Sequence, residues 1–258
     1  LLAGRYAIRP FYKEKDDWEV CDEELLDVLH ECVFRFTESY QGIRLDSESE
    51  RVHTRLIKSL VMALEARDPY TKGHSICVAL LAQRIAEILG DGIDPTRAHL
   101  AGLLHDVGKV GVPDSILLKP SHLSHDEWKV MHAHPGIGAS ILKPINLYPE
   151  VVSAVLSHHE NYDGSGYPNG LAGDEIPPLG RVVRITDSFD AMTSTRAYRS
   201  SRALDYAVDE IIAQSGTVYD PDVVEAFVKI MGTPGVVREL SMASLQIDLG
   251  EAPHWASA

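Results

Sequence analysis

Three features of this 258-residue sequence predict an all-α fold. Apolar residues recur at three- and four-residue spacing in segment after segment. Helix start and stop signals bracket those segments. Alternating apolar and polar runs, the mark of half-buried strands, are scarce.

The elements follow in order. Asp22 to Phe36 reads as an amphipathic helix with Leu25, Leu26, Leu29 and Val33 inward. It makes residues 1–49 a short N-terminal helical segment, or the end of an upstream module. Leu56, Ile57, Leu60, Val61 and Leu64 mark a helix that stops before Asp68-Pro69, because a proline disfavours the helical conformation in its predecessor. Val78, Leu81, Ile85 and Ile88 mark the next, ended by Gly90. Asp94 as N-cap and Pro95 as first helical residue open a helix expected to run through Leu100 and Leu104 to Gly108. Ser124 with Glu127 makes a capping box. His134-Pro135 and Tyr148-Pro149 each read as a loop entering a helix. Arg181 to Thr186 is β-branched, but Ser188 to Thr193 continues it at helical spacing, so one helix is predicted. Asp220-Pro221 opens the last helix, which closes near Gly232. The main domain is therefore placed at 50–231, with a C-terminal extension over 232–258.

The net charge of −14, from 24 basic and 38 acidic residues, disfavours a general binder of nucleic-acid polymers. An anionic substrate must be attracted locally, by metals and a few placed cations. Cys21, Cys32 and Cys77 make no zinc-type spacing and no disulfide framework. No signal peptide and no membrane-length apolar run is evident, so a reducing, cytoplasmic setting is expected. Because the chain begins at Leu1, it reads as a piece of a longer protein.

His105 and Asp106 end an apolar stretch, Leu103-Leu104-His105-Asp106-Val107, where neither helps a core. A buried charge needs a partner. His74, His134, His158, His159 and Asp187 also lie at or beside helix ends, and mixed imidazole and carboxylate donors suit first-row metals. Seven such groups are too many for one ion and about right for two. A carboxylate can bridge two cations and an imidazole cannot, so Asp106 is the expected bridge. Each residue taken singly has an ordinary reading: His74 at a helix start, His134 or Asp187 as a cap, His158 and His159 as a surface pair. His30, His53, His99, His122, His125, His132 and His254 are assigned to that ordinary class. Glu65 and Asp68 read either as partners that orient imidazoles or as helix-end charges.

The ordered series resembles the HD-GYP family, a branch of the HD-domain metal phosphohydrolases, over roughly residues 50–231. The resemblance is carried by Leu64-Glu65-Ala66-Arg67-Asp68-Pro69-Tyr70-Thr71, Gly73-His74, His105-Asp106-Val107-Gly108-Lys109 and Gly111-Val112-Pro113-Asp114. His134-Pro135 with Gly138, His158-His159-Glu160, Asp163-Gly164-Ser165-Gly166-Tyr167-Pro168 and Asp187-Ser188-Phe189-Asp190-Ala191-Met192-Thr193 continue it, with Arg196 and Arg199. It implies an HD-domain-like helical bundle that cleaves the bacterial second messenger cyclic di-GMP to linear pGpG, and onward to GMP. It also implies that His74, His105, Asp106, His134, His158, His159 and Asp187 hold a metal pair. Iron or manganese is favoured, with zinc, nickel or magnesium as alternatives. Asp106 and Lys109 are the implied catalytic pair. Lys109, Arg196 and Arg199 look like phosphate contacts, and Gly166 with Tyr167 lines the substrate side. Tyr70 stands where some members place an acidic ligand for a third metal, so two metals are expected. Thr195 and Ala197 depart from the family's Asp-Arg-Pro-Tyr-Arg run.

Such a pair, about 3.5–4 Å apart, lowers the pKa of a bridging water and binds a phosphate oxygen. Lys109 lies three residues after Asp106, and a helix end at Gly108 lets it swing toward the phosphate; the alternative is a surface lysine paired with Asp106 or Asp114. Arg196 and Arg199 have a solvated alternative. Tyr167 offers a ring for base stacking, from a turn in which glycine permits positive φ. Competing functions are hydrolysis of another cyclic dinucleotide, such as mixed cyclic GMP-AMP, or of a nucleotide phosphate ester; a cyclic di-GMP receptor without turnover; and an interaction module whose loop contacts signalling partners. An upstream sensor or receiver domain and a homodimer fit the same setting.

Overall fold

A computed structural model describes residues 61, 64–65, 67, 73–90, 92–145, 148–193 and 202–233. The predicted helix at 22–36, Asp68, Tyr70, Arg196, Arg199 and the bulk of the C-terminal extension lie outside the described residues. Within them the fold is helical, with only two isolated bridges, Asp163 to Ala172 and Ser215 to Tyr219.

The helices are α1 (His74–Leu89), α2 (Pro95–Leu104), α3 (Asp114–Leu117), α4 (His125–Met131), α5 (His134–Leu142), α6 (Pro149–Ser157), α7 (Pro178–Thr193), α8 (Arg202–Ala213) and α9 (Pro221–Met231). Local chemistry accounts for most starts. The Asp94 carboxylate accepts from the Thr96 and Arg97 amides, the Ser124/Glu127 capping box is formed, and Asp220 caps Asp222. Pro95, Pro149 and Pro221 sit in first turns, where the missing N–H is no loss. None of the described helices is long and apolar enough to cross a membrane.

The core is a contiguous set of apolar faces: Val78, Leu81 and Ile85 of α1, Leu103 of α2, Val151 and Val155 of α6, Val182 and Ile185 of α7, and Phe227 of α9. Each such side chain contributes about 1.5–3 kcal/mol when fully buried. Phe189 meets Phe227 edge-to-face at 5.1 Å. The backbones of α1 and α2 touch at Gly102, where a Cβ would come within 2.7 Å of Ala79 Cα.

One boundary differs from the sequence expectation. Helix α2 ends at Leu104 rather than Gly108; His105 caps it, Asp106 leaves helical geometry at φ −97°, ψ 7°, and Val107–Gly111 form a 3₁₀ turn. Gly108 marks a close approach instead of a helix end: a Cβ there would run into the His134 carbonyl of α5. Because the helix breaks between them, His105 and Asp106 both reach one site.

Candidate metal centre

Three of the candidate histidines are held by one device. His105 follows the end of α2, His134 lies three residues beyond the last residue of α4, and His158 follows the end of α6. Final-turn carbonyls of a helix have no intrahelical partner. In each case the ring Nδ1 sits on the carbonyl three residues back: His105 on Gly102 at 2.7 Å, His134 on Met131 at 2.8 Å, His158 on Val155 at 2.7 Å. A carbonyl only accepts, so Nδ1 carries the proton and the Nε2 lone pair faces the site.

His74 reaches the site from the first residue of α1. The largely buried Glu65 carboxylate accepts from the Gly73 and Ser75 amides at 2.8 and 2.7 Å, fixing this helix start. Gly73 at φ 79° takes the left-handed conformation that glycine tolerates. His74 Nδ1 donates to Asp190 Oδ2 at 2.7 Å, which aims Nε2 at Asp187 Oδ1, 3.3 Å away.

Two donor groups result. One is Asp106, His134, His158 and His159; the other is His74, His105 and Asp187. Within each, one ligand atom per residue lies within 4.8 Å of the rest. Asp106 faces both. Its Oδ1 is 3.3 Å from His134 Nε2 and its Oδ2 is 3.3 Å from His105 Nε2. His134 and His158 present Nε2 to Nε2 at 3.2 Å, as do His74 and His105. Where both Nδ1 atoms donate elsewhere, two facing lone pairs repel unless a proton or a metal cation lies between them. The donor set therefore fits divalent metal ions.

Charge follows the same logic. Burial would raise the Asp106 carboxyl, but the Lys109 ammonium and the neighbouring His105 and His134 outweigh it and hold it well below the usual carboxylate range. Asp187, buried yet bonded to His74 and facing His105, is also held low. Burial drives His158 well below its usual value and, against the pull of Asp187, takes His159 down to about 3. These four groups are in ligand form at neutral pH. His74 is the exception: burial alone would lower it, but the hydrogen bonds and charges of Asp187 and Asp190 raise it well above an ordinary imidazole. Its raised value gives stability that is full below the unfolded imidazole range and lost as pH rises through the folded value. An entering cation displaces that proton. Mn²⁺ titration calorimetry near neutral pH, in two buffers of different ionisation enthalpy, is therefore expected to show release of about one proton per chain; no release means His74 is already neutral.

Several residues occupy places the sequence does not assign. Asp190, to which the sequence gives no role, bonds His74 directly, whereas Glu65, read there as an imidazole partner or a helix-end charge, holds the backbone at the start of α1. Lys109 Nζ contacts Asp106 Oδ2 at 2.6 Å, the pairing that sequence held as the alternative to a free swing toward phosphate. Tyr167 does not present an open ring. It stacks on His132 at 3.8 Å and 13°, and on His159 at 4.7 Å and 25°. His132, placed by sequence among the ordinary histidines, therefore belongs to the site's wall. Gly166 is needed for contact rather than for positive φ, since a Cβ would come within 2.5 Å of Glu160 Cα and the His159 carbonyl. That contact, with the Tyr167 amide donating to the His159 carbonyl at 3.2 Å, seats the loop against His159. Glu160, 1% exposed, accepts from the Asn169 and Leu171 amides and closes the loop. Arg184 of α7 donates to Asn161 Oδ1 and Ser188 Oγ, tying α7 to the segment after His159.

A family model described as HD domain matches residues 58–223. The cyclic di-GMP phosphodiesterase of Thermotoga maritima is 43% identical over 187 residues, covering 71% of this chain and 51% of that protein. The cyclic di-GMP phosphodiesterase response regulator RpfG of Xanthomonas campestris pv. campestris is 39% identical over 186 residues, covering 71% of this chain and 49% of that protein. The chain thus spans about half the length of these relatives. The fold is similar to the crystal structure of a cyclic GMP-AMP specific phosphodiesterase of V. cholerae, with a TM-score of 0.58 and 19% identity over 75% of this chain and 52% of that one.

Proposed function

This chain belongs to the HD domain family, and from that premise we propose that it is a metal-dependent phosphodiesterase that hydrolyses cyclic di-GMP to linear pGpG and onward to GMP. The carrying observation is the Asp106 carboxylate, which turns one oxygen to each of two donor groups. His74, His105 and Asp187 would hold one ion, His134, His158 and His159 the other, and Asp106 would join both. Iron or manganese suits this nitrogen-rich, oxygen-containing set.

A metal pair so held supplies Lewis acidity toward a phosphate oxygen and a water of lowered pKa. The chain's own residues do the rest. The i−3 carbonyls and Asp190 hold the imidazoles in one tautomer and direction. Lys109, now on Asp106 Oδ2, is placed to give its ammonium to a phosphate oxygen once cations take over that carboxylate. Arg196 and Arg199 are proposed as further phosphate contacts. Tyr167 and Gly166 wall the pocket beside His159. Water adds across one P–O bond of the ring, and its second proton goes to the released ribose oxygen.

Product chromatography after incubation with cyclic di-GMP or mixed cyclic GMP-AMP, each with Mn²⁺ or Fe²⁺, tests this. Linear pGpG is expected from cyclic di-GMP. Preference for the mixed nucleotide would reassign the substrate. Tight binding without product from either would make the chain a receptor.

A further inference from the structure

Four rings form a continuous ladder out of the metal centre. His159 stacks on Tyr167, Tyr167 on His132, and His132 meets Trp128 at 5.1 Å and 58°. The inner three are packed on one another. The outer end is not: Trp128 is 46% exposed, among the large apolar side chains left open to solvent. Its helix, α4, contributes no buried residue to the core. Yet α4 is firmly held, by the Ser124/Glu127 capping box and by the Lys119–Glu127 ion pair at 2.6 Å. Core packing therefore does not account for an indole at this position. The ladder explains it better: α4 presents a flat aromatic surface at the rim of a site that takes a nucleotide.

We infer that Trp128, backed by His132, is a stacking shelf for a purine base of the cyclic dinucleotide whose phosphate lies at the metal centre. This deepens the phosphodiesterase reading and rests on it. It also moves base recognition from Tyr167, whose ring is engaged by two imidazoles, to the exposed ring at the outer end of the ladder. A base lies one ribose away from its phosphorus, so a base subsite must stand apart from the ligands yet be continuous with them. Indole–base stacking tolerates any base, because each has a π face. The shelf thus sets affinity for the dinucleotide class, and discrimination between guanine and adenine falls to other groups.

Two measurements decide it. Trp18, Trp128 and Trp255 are the chain's three tryptophans. In a Trp18→Phe, Trp255→Phe background the indole emission reports Trp128 alone. Stopped-flow mixing of the Mn²⁺-loaded protein with cyclic di-GMP should quench it before turnover, and inorganic phosphate should not. Trp128→Ala should raise KM for cyclic di-GMP by about tenfold, the scale of one lost stack. The loss on bis(p-nitrophenyl) phosphate, which carries no base, should be at least several-fold smaller, and Trp128→Phe should recover most of it. Equal quenching by both ligands, or equal losses on both substrates, overturns the shelf. Failure to turn over any cyclic dinucleotide would instead overturn the phosphodiesterase reading, and the quenching comparison would still decide the shelf.

Discussion

Asp106→Ala is expected to lower turnover by about three orders of magnitude or more, the scale seen when a group at the heart of a catalytic unit is removed. The helical far-UV signal should persist. Asp106 sits between two donor groups instead of in the apolar core, so its loss opens no cavity among the packed helices. What it removes is the shared oxygen pair 3.3 Å from both His105 and His134. The Lys109 ammonium would lose its carboxylate at 2.6 Å and add repulsion toward any cation in the site. Metal content should therefore fall along with activity. Asp106→Asn keeps the shape but not the charge and should fail nearly as badly. Near-normal turnover in either variant removes Asp106 from the mechanism.

Gly108→Ala is expected to cause the largest loss of stability from a single methyl group. The new Cβ would run into the His134 carbonyl and come within 2.5 Å of the Gly138 amide nitrogen. Both neighbours are backbone, so no flexible side chain can swing clear. Overpacking of this kind costs about 3 kcal/mol, or roughly 6–12 °C in Tm for a domain of this size. The chemistry should suffer too, because the 3₁₀ turn follows Asp106 directly and His134 opens the facing helix. Gly111→Ala is the control. Its Cβ would meet the Ile137 side chain, the nearest atom at 3.0 Å, which can give way, and should cost less than about 1 kcal/mol. Similar melting temperatures for the two variants would contradict the role given to Gly108.

The contrast at Gly108 shows which parts of the molecule are legible without coordinates. Signals that act within one turn of chain are read correctly: the Ser124/Glu127 box, the Asp94-Pro95 and Asp220-Pro221 starts, and the continuation of α7 through Thr193. Gly108 is misread because a glycine after an apolar helix resembles a C-cap, while its function is a contact with a residue 26 positions later in the chain. The seven proposed ligands are found by residue type, and the structure brings all seven together. Six lie at helix ends as expected, but Asp187 sits inside α7 rather than at an end or as a cap, because that helix runs unbroken from Pro178 to Thr193. Asp190 was within reach, since it lies three residues after Asp187 on one helix face. His132 was not, because its meaning comes from Tyr167, which is distant in sequence and close only after folding. The Tyr167 ring looked available for the same reason.

The most direct test of the two-ion centre is a Mn²⁺ titration of metal-free protein, followed by equilibrium binding and electron paramagnetic resonance. Two ions per chain with an exchange-coupled spectrum, as for ions about 3.5–4 Å apart, is the predicted result. A single uncoupled ion, or none, would contradict a centre joined through Asp106.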